Sequence, residues 1–298
     1  MPSQSKLRQE ISQQIYETLK SGDVLPWRRG WQADVNAGLP TNATSRRRYS
    51  GVNTILLSIA GFAKGHQSKF WATYKQFQAL GTNVRRGEKG TAITFFKPLS
   101  VMKEDKRTGE EKETTIPLLR RYYVWNVEQT DGCDHLRVGN SVASDSVIDS
   151  HAEAENLMAA TKANIRFGGN RAYWSPTTDH VQLPLRSQFD CMNEFYLTAM
   201  HELSHWTGAK NRLARNGLSY GHEELVAEIS AAYTCSELWI PVQEDLSNVE
   251  SYIGNWLKSI KKDPSFIFKA SSAASKASDY LLSFRRQESQ EPQQVALA

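Results

Sequence analysis

One short segment, His201-Glu-Leu-Ser-His205, constrains the fold of this chain more than any other feature of the sequence. It is an HExxH pattern inside a stretch with helical periodicity. Residues four apart share one helix face, so both imidazoles can reach one metal ion. Glu202 is then placed to take a proton from a water at that metal. The pattern predicts a metal-dependent hydrolase site; the alternative is a surface helix with two incidental histidines.

The residues around this segment predict one helix over 187–207. Ser187 and Asp190 have the spacing of a capping box, and Gly208 is placed to end the helix. Apolar residues recur at helical spacing along the same stretch and predict a buried stripe. The stripe consists of Met192, Phe195, Ala199, Leu203 and Trp206.

A zinc site needs a third protein ligand and an open position. Asn211 stands where a metzincin would carry a histidine, which disfavours that class. A second predicted helix carries Glu224 and Glu228 at i,i+4 spacing, on one face. Because the pair resembles the thermolysin-like layout, we expect Glu224 to be the ligand and Glu228 to lie behind it, with the reverse order left open. His222 is a further alternative ligand, and a solvated acidic face involving Glu223 is the alternative to any metal role.

The two acids after HExxH resemble the thermolysin-like (gluzincin) layout. That resemblance implies that the first acid binds the metal and the second orients a ligand histidine. We expect Zn²⁺, although such sites also accept Mn²⁺ or Co²⁺. Tyr220 could donate a hydrogen bond to the oxyanion of the reaction, or it could simply pack.

Residues 171–184 predict a hairpin, in which Asp179–Leu183 is the candidate edge strand for an extended peptide and His180 is exposed.

Charge divides the chain into two unlike parts. Residues 41–90 hold nine basic residues and one acidic residue, a charge of +8, so the rest of the chain carries −4 of the total +4. Aromatic residues interleave with these cations, as in proteins that bind single-stranded nucleic acid by tracking phosphates and stacking on bases. A solvated basic surface over core aromatics is the alternative. The candidate DNA contacts are Trp27, Arg46, Arg47, Arg48, Tyr49, Asn53, Trp71, Lys75, Arg85, Arg86 and Lys89.

Several motifs together resemble the plasmid antirestriction family ArdC. In the first half they are Pro26-Trp-Arg-Arg-Gly-Trp31, Tyr49-Ser-Gly-Val-Asn53, Trp71-Ala-Thr-Tyr-Lys-Gln76 and Gly81-Thr-Asn-Val-Arg-Arg-Gly-Glu-Lys-Gly90. A similar region occurs in the TraC-type plasmid primases. His201-Glu-Leu-Ser-His-Trp-Thr-Gly208 and Glu223-Glu-Leu-Val-Ala-Glu228 resemble the family's zincin-like domain. The resemblance covers nearly the whole chain. It implies single-stranded DNA binding, conjugative spread and protection of incoming DNA from host restriction.

The expected fold class is α+β with two domains. We expect a single-stranded DNA-binding α+β domain over 1–128, a linker over 129–150, a mainly helical zincin-like metallopeptidase domain over 151–286 and a disordered tail over 287–298. The charged segment 103–115 is expected to be a mobile loop or hairpin tip. Three widely spaced cysteines indicate a reducing compartment. No signal peptide or membrane span is recognisable, so a cytoplasmic protein without a membrane partner is expected.

Three functions from different classes fit this sequence. The protein could shield single-stranded DNA, with the metal site structural or regulatory. It could be a DNA-tethered protease that cleaves a host protein. It could also cut proteins crosslinked to single strands. A priming enzyme is disfavoured because no acidic polymerase triad stands out.

Overall fold

The structure, a computed structural model, describes residues 4–21, 25–28, 34–104, 111–139, 150–215, 217–242 and 250–288. The N-terminal half combines three helices with one four-stranded sheet. Its strand order is β1-β2-β4-β3, with β1 and β2 parallel and the other two pairs antiparallel. The elements are α1 (Gln4–Ser21), β1 (Thr41–Asn42), α2 (Val52–Ala63), β2 (Phe70–Ala72), α3 (Tyr74–Ala79), β3 (Thr91–Glu104) and β4 (Glu111–Asn126).

The C-terminal half is mainly helical. In the described residues it combines five α-helices with a three-stranded sheet of order β5-β7-β6, in which β7 is the central strand. The elements are α4 (Ser150–Ala160), β5 (Asn164–Phe167), β6 (Tyr173–Ser175), β7 (His180–Leu183), α5 (Met192–Thr207), α6 (Tyr220–Glu237), α7 (Glu250–Lys262) and α8 (Phe266–Glu288).

The two halves share one hydrophobic core. Leu7, Ile11, Ile15 and Leu19 recur every four residues along α1 and are all buried. They belong to the same apolar cluster as Leu225 and the neighbouring residues of α6, together with residues of α2, α7 and α8. Burial of apolar surface contributes about 25 cal/mol of stabilisation per Å². This free energy holds the N-terminal helix against the helices that follow the HExxH segment. The two domains of this α+β fold are therefore packed together rather than separately tethered.

A second core supports α5. Phe195, Ala199 and Leu203 are fully buried against α4, β7, α6 and α8. The hydroxyl of Ser204 donates to the Ser230 hydroxyl at 2.9 Å, and these two small side chains lie where α5 and α6 meet. This packing fixes the helix that carries the histidines against the helix that carries the acids.

The helix predicted around the HExxH segment and the second helix, which carries Glu224 and Glu228, are confirmed as α5 and α6. The predicted capping box at Ser187 is wrong. Residues 186–188 form a short 3₁₀ turn in which the Gln188 side chain accepts from the Leu185 amide, and α5 begins at Met192 after Cys191. Gly208 does end this helix, as predicted.

The hairpin over 171–184 is confirmed, but its strand roles are not those predicted. Because β5 pairs with β7 on the side opposite β6, Asp179–Leu183 lies in the centre of the sheet and β6 is the edge strand beside α5. His180 was expected to be exposed and is buried, with Nδ1 2.6 Å from the Thr178 hydroxyl. Strand order depends on a third strand, β5, which the local hairpin pattern does not reveal.

Two predicted flexible segments are partly ordered. The β3–β4 hairpin extends to Glu104 and resumes at Glu111, so only 105–110 of the expected loop lie outside the described residues. At the start of the expected linker, Leu136 is buried and the Asn36 amide donates to the carbonyls of His135 and Arg137. The later linker residues, 140–149, and tail residues 289–298 lie outside the described part of the chain. No helix within the described residues is both long enough and apolar enough to cross a membrane.

Candidate metal centre

The two histidines of the HExxH segment lie on one face of α5 and point to a common position. His201 Nε2 and His205 Nε2 are 3.2 Å apart. Glu224, in the second turn of α6, completes the cluster with Oε2 3.4 Å from His201 Nε2 and Oε1 3.6 Å from His205 Nε2. Among the described residues these three side chains form a group whose donor atoms all lie within 4.8 Å of one another.

The spacing of these atoms fits a tetrahedral metal. Bonds of about 2.0–2.1 Å at tetrahedral angles place ligand atoms roughly 3.3 Å apart. The two imidazole nitrogens are 3.2 Å apart, close to that value, and each is within 3.6 Å of one of the two Glu224 oxygens. Two imidazole nitrogens and one carboxylate oxygen are also a donor set that divalent transition metals accept.

Each histidine has a carboxylate 3.5–4.0 Å from its other ring nitrogen, and each of these carboxylates accepts hydrogen bonds from an arginine. His205 Nδ1 is 3.5 Å from Glu223 Oε1, and Arg215 donates to Glu223 at 2.6 and 3.2 Å. His201 Nδ1 is 4.0 Å from Glu228 Oε2, and Arg28 donates to the Glu228 carboxylate at 2.7 Å. Carboxylates behind metal-binding histidines fix the orientation of the imidazole rings.

The charges of the centre favour a cation. Burial pulls the pKa of His201 down, but the nearby carboxylates of Glu224, Glu202 and Glu228 outweigh it and the net pKa is raised. Four carboxylates of the pocket face two buried guanidinium groups among the described residues. Even with Arg171, which is exposed and lines the same cavity, the carboxylates outnumber the arginines beside two imidazoles, and a divalent cation would offset this excess. The residues present therefore fit a divalent metal. The acids are Glu202, Glu223, Glu224 and Glu228, and the cations are Arg28 and Arg215.

Glu202 lines the same cavity but does not belong to the three-residue donor group. It is buried, and burial raises the pKa of its carboxyl, opposed by the imidazoles of His201 and His205 and by the backbone of Trp174 on β6. A carboxyl with a raised pKa is suited to accept and return a proton near neutral pH. The surrounding cavity has a volume of about 510 Å³ and lies between α5, α6 and β6.

Two other predicted site residues do not belong to the donor group, although Tyr220 is close enough to Glu224 to help lower the pKa of that carboxyl. Tyr220 lines the cavity but is strongly exposed, and its hydroxyl lies 3.0 Å from that of Tyr252. His222, the alternative ligand, is buried against the ring of Phe266 on α8 and is outside the donor group. The sequence indicated Glu223 only as part of an acidic helix face. Its partner Arg215 lies in the connection between α5 and α6 and belongs to no recognisable motif, so the pair could not be predicted.

The predicted DNA contacts divide into buried and exposed residues. Three cannot serve as predicted in this conformation: Trp27 and Trp71 are 3% and 0% exposed, and the Asn53 amide is engaged with the Thr94 backbone in both directions. A buried indole has no face for a base, so the two tryptophans belong to the core rather than to a stacking surface. Arg48, partly buried, pairs with Glu237 and Asp279.

The remaining candidates are accessible to different degrees. Tyr49 is half-buried with its hydroxyl near Asn42, and Arg85 bonds the carbonyls of Glu128 and Thr130. Arg85 is nevertheless exposed, as are the other predicted cations of this half, Arg46, Arg47, Lys75, Arg86 and Lys89. The basic surface is thus formed mainly by loops and by the start of α3.

Comparison with known proteins agrees with both halves of the fold. Residues 5–125 match the N-terminal domain of the anti-restriction factor ArdC, and residues 152–273 match a zincin-like metallopeptidase family. The metal-free crystal structure of the antirestriction protein ArdC from plasmid R388 is 34% identical, with a TM-score of 0.76 over 94% of this chain and 98% of that chain. This chain belongs to the ArdC antirestriction family.

Two further comparisons extend this assignment. The Mn(II)-bound structure of R388 ArdC is 32% identical, with a TM-score of 0.73 over 93% of this chain and 97% of that chain. With the donor set described above, it supports a divalent metal at the centre. The DNA primase TraC of Escherichia coli is 36% identical over 95% of this chain, and the chain spans only 28% of that primase. ArdC-family chains therefore share this two-domain unit with much longer proteins.

Proposed function

We propose that this ArdC-family protein binds single-stranded DNA and carries a metal-dependent peptidase site, and that it protects incoming plasmid DNA during conjugation. The observation that carries the peptidase part is the convergence of His201 Nε2, His205 Nε2 and the Glu224 carboxylate on one position beside Glu202. We assign His201, His205 and Glu224 as ligands of Zn²⁺, with Mn²⁺ or Co²⁺ as substitutes. Glu228 and Glu223 support the two imidazoles from behind.

The chain's own residues supply the proton chemistry of peptide hydrolysis. A divalent ion bound at this centre contributes Lewis acidity toward a water and a peptide carbonyl. Glu202 accepts the proton of the attacking water and returns it to the leaving amine, a role that its place in the cavity and its burial-raised pKa support. Tyr220, at the cavity rim, is positioned to approach the developing oxyanion with its hydroxyl.

Strand β6 is the element that we propose binds the substrate. It is the edge of its sheet, lies beside α5 and contributes Tyr173 and Trp174 to the cavity. An extended peptide can add to an exposed strand edge through main-chain hydrogen bonds. We therefore expect a polypeptide substrate to lie antiparallel or parallel to β6, across the entrance to the metal centre.

For DNA, we propose a basic-aromatic surface on the N-terminal half, defined by its exposed residues. Tyr74 and Tyr123 are 43% and 50% exposed, and Tyr74 contacts the partly buried Trp125 edge-on at 6.2 Å. Tyr123 and Trp125 are two apart on β4 and so share a sheet face. Exposed rings accept bases, while the neighbouring cations contact phosphates. The surface comprises Arg46, Arg47, Tyr74, Lys75, Lys89 and Tyr123.

Glu202→Gln tests the peptidase proposal. The change keeps the shape of the side chain but removes the base, so hydrolysis of fluorescent casein should fall by about a hundredfold or more while bound metal, measured by elemental analysis, stays the same. Glu194→Gln, on a partly exposed turn of the same helix, is the matched control. Equal activity of the Glu202→Gln protein and wild type would refute the assigned mechanism.

A second function is favoured by the same DNA surface: a DNA-tethered protease that cleaves a host or DNA-crosslinked protein. The two proposals differ in whether antirestriction needs hydrolysis. In cells receiving single-stranded plasmid DNA under restriction, Glu202→Gln should still protect if covering the DNA suffices. Loss of protection by this variant alone, at equal expression, would favour the protease. Stimulation of casein cleavage by single-stranded DNA would favour it further.

A further inference from the structure

The segment 25–28 of the N-terminal half lies against the metal centre of the C-terminal half. Arg28 is 6% exposed, and its Nε and Nη2 donate to the two Glu228 carboxylate oxygens at 2.7 and 3.2 Å. Trp27 Nε1 donates to Glu228 Oε1 at 3.3 Å, and its ring lies edge-on to Trp256 of α7 at 6.2 Å. Both residues come from the region that matches the ArdC N-terminal domain.

We propose that Arg28 is a positioning residue of the metal centre, which acts by holding Glu228 in the place from which Glu228 orients His201. The inference rests on the proposed function of the metal centre. Its consequence is that the peptidase-like domain has its full metal affinity only when the N-terminal domain is docked.

The geometry gives Arg28 a role that Glu228 cannot fulfil alone. A glutamate has three side-chain torsions, and one on α6 can turn either toward His201 or away from it. The planar guanidinium of Arg28 contacts both carboxylate oxygens of Glu228 at once. These two contacts fix the plane of the carboxylate, whereas a compact ammonium group would leave it free to rotate. Trp27 adds a third donor from the same segment. Together they leave Glu228 Oε2 on the His201 side, 4.0 Å from Nδ1.

Electrostatics alone predicts the opposite effect of removing Arg28. A cation this close to the centre repels a dication, so loss of its charge should strengthen metal binding. If Glu228 instead loses its position behind His201, metal binding should weaken, because removal of a partner behind a ligand histidine typically costs about 10- to 100-fold in metal affinity. The direction of the change therefore separates a positioning role from a merely electrostatic one.

Arg28→Lys is the most informative variant. It keeps the charge and loses the fork that contacts both oxygens, so its effect isolates geometry from electrostatics. We expect the dissociation constant for Zn²⁺ or Mn²⁺, measured by calorimetry on the full chain, to rise at least about fivefold. This loss of affinity is smaller than the loss expected when the carboxylate behind His201 is removed altogether. Trp27→Phe, which removes one donor and keeps an aromatic ring against Trp256, should weaken binding in the same direction.

Two comparisons complete the test. Arg28→Lys in a Glu228→Gln background should add no further loss, since Arg28 is proposed to act through Glu228. Arg48→Lys is the matched control, because this arginine also joins the two halves, through Glu237 and Asp279, away from the metal centre. Its metal affinity should equal that of wild type. Circular dichroism and thermal melting establish that each variant is folded.

The outcomes are distinguishable. Unchanged or tighter metal binding in folded Arg28→Lys would overturn the positioning role, and so would a full additional loss in the Glu228→Gln background. Equal losses in Arg28→Lys and Arg48→Lys would show a general effect of domain packing and would also overturn it. If wild type itself binds no divalent metal, the proposed function of the centre fails instead.

Discussion

The Glu224 carboxylate lies against the Nε2 atoms of both histidines, with one oxygen 3.4 Å from His201 Nε2 and the other 3.6 Å from His205 Nε2. Glu228, one helical turn later, approaches only the opposite nitrogen of His201, at 4.0 Å. The two acids share one face of α6, so sequence spacing alone could not decide which is the ligand. Their distances to the two ring nitrogens favour Glu224.

These distances predict unequal losses of metal affinity in two matched variants. Glu228→Gln should weaken Zn²⁺ binding about 10- to 100-fold, the usual effect of a partner behind a ligand. Glu224→Gln should weaken it by more, because it removes a charged donor and leaves two protein ligands. Calorimetric titration of each apoprotein compares them directly. A larger loss in Glu228→Gln would reverse the assignment of the two acids.

What the sequence predicted correctly was mostly local. The α5 stripe, the end of this helix at Gly208 and the i,i+4 relation of the histidines all follow from helical periodicity within one segment. The role of Arg28 could not be predicted this way, because it lies 200 residues from Glu228 along the chain. Trp27 and Trp71 were assigned to DNA for a related reason. Composition indicates that aromatic residues are present, but only tertiary packing decides that these two are buried.

The turn between β6 and β7 predicts a pH-dependent contribution to stability. Arg212 donates to both Asp179 oxygens, at 3.0 and 2.5 Å, and holds the pKa of Asp179 below its ordinary value, partly opposed by burial. The pair therefore stabilises the fold above the ordinary aspartate value of about 3.9 and loses this effect as pH falls through the lower folded pKa. Asp179→Asn should lower stability at neutral pH only.

Urea denaturation between pH 7 and pH 3 measures this effect. The difference between Asp179→Asn and wild type should stay constant down to about pH 4 and shrink below it. Because the Asp179 side chain is 46% exposed, the difference should be below about 1 kcal/mol. Asparagine tolerates the left-handed backbone of this position, where φ is 46°, so strain should not contribute. Asp190→Asn, at an exposed position, is the control.

The exposed cations of the basic-aromatic surface predict a defined change in salt dependence. Each phosphate contact to a single strand contributes about −0.7 to the slope of log K against log salt. Arg46→Gln combined with Arg47→Gln should therefore make the slope less steep by about 1.4. Fluorescence anisotropy with a labelled oligonucleotide at several salt concentrations gives the slope.

Two further variants locate the surface more sharply. Tyr123→Ala should weaken binding with little change of slope, since stacking contributes about 1–3 kcal/mol per base and involves no phosphate. Trp71→Phe, at a fully buried position, should lower the melting temperature and leave the salt slope unchanged. An unaltered slope in the double arginine variant would exclude the loop at 46–47 from DNA contact.

The Arg215–Glu223 pair predicts a coupling between the fold of α5 and the orientation of His205. Besides Glu223, Arg215 donates to the carbonyl of Ser204 and to the hydroxyl of Thr207, so it also satisfies the C-terminal end of the helix. Its side chain is 7% exposed. Arg215→Met should reduce the free energy of unfolding by about 3–5 kcal/mol, because it leaves a largely buried carboxylate without its cation.

The same variant should lower metal affinity through His205, whose Nδ1 lies 3.5 Å from Glu223. Arg215→Met combined with Glu223→Gln separates the two effects: neutralising the orphaned acid should recover part of the stability, whereas metal affinity should remain low because the partner behind His205 is still absent. Urea denaturation and calorimetry on the same preparations give both quantities. Recovery of metal affinity in the double variant would mean that Glu223 does not orient His205.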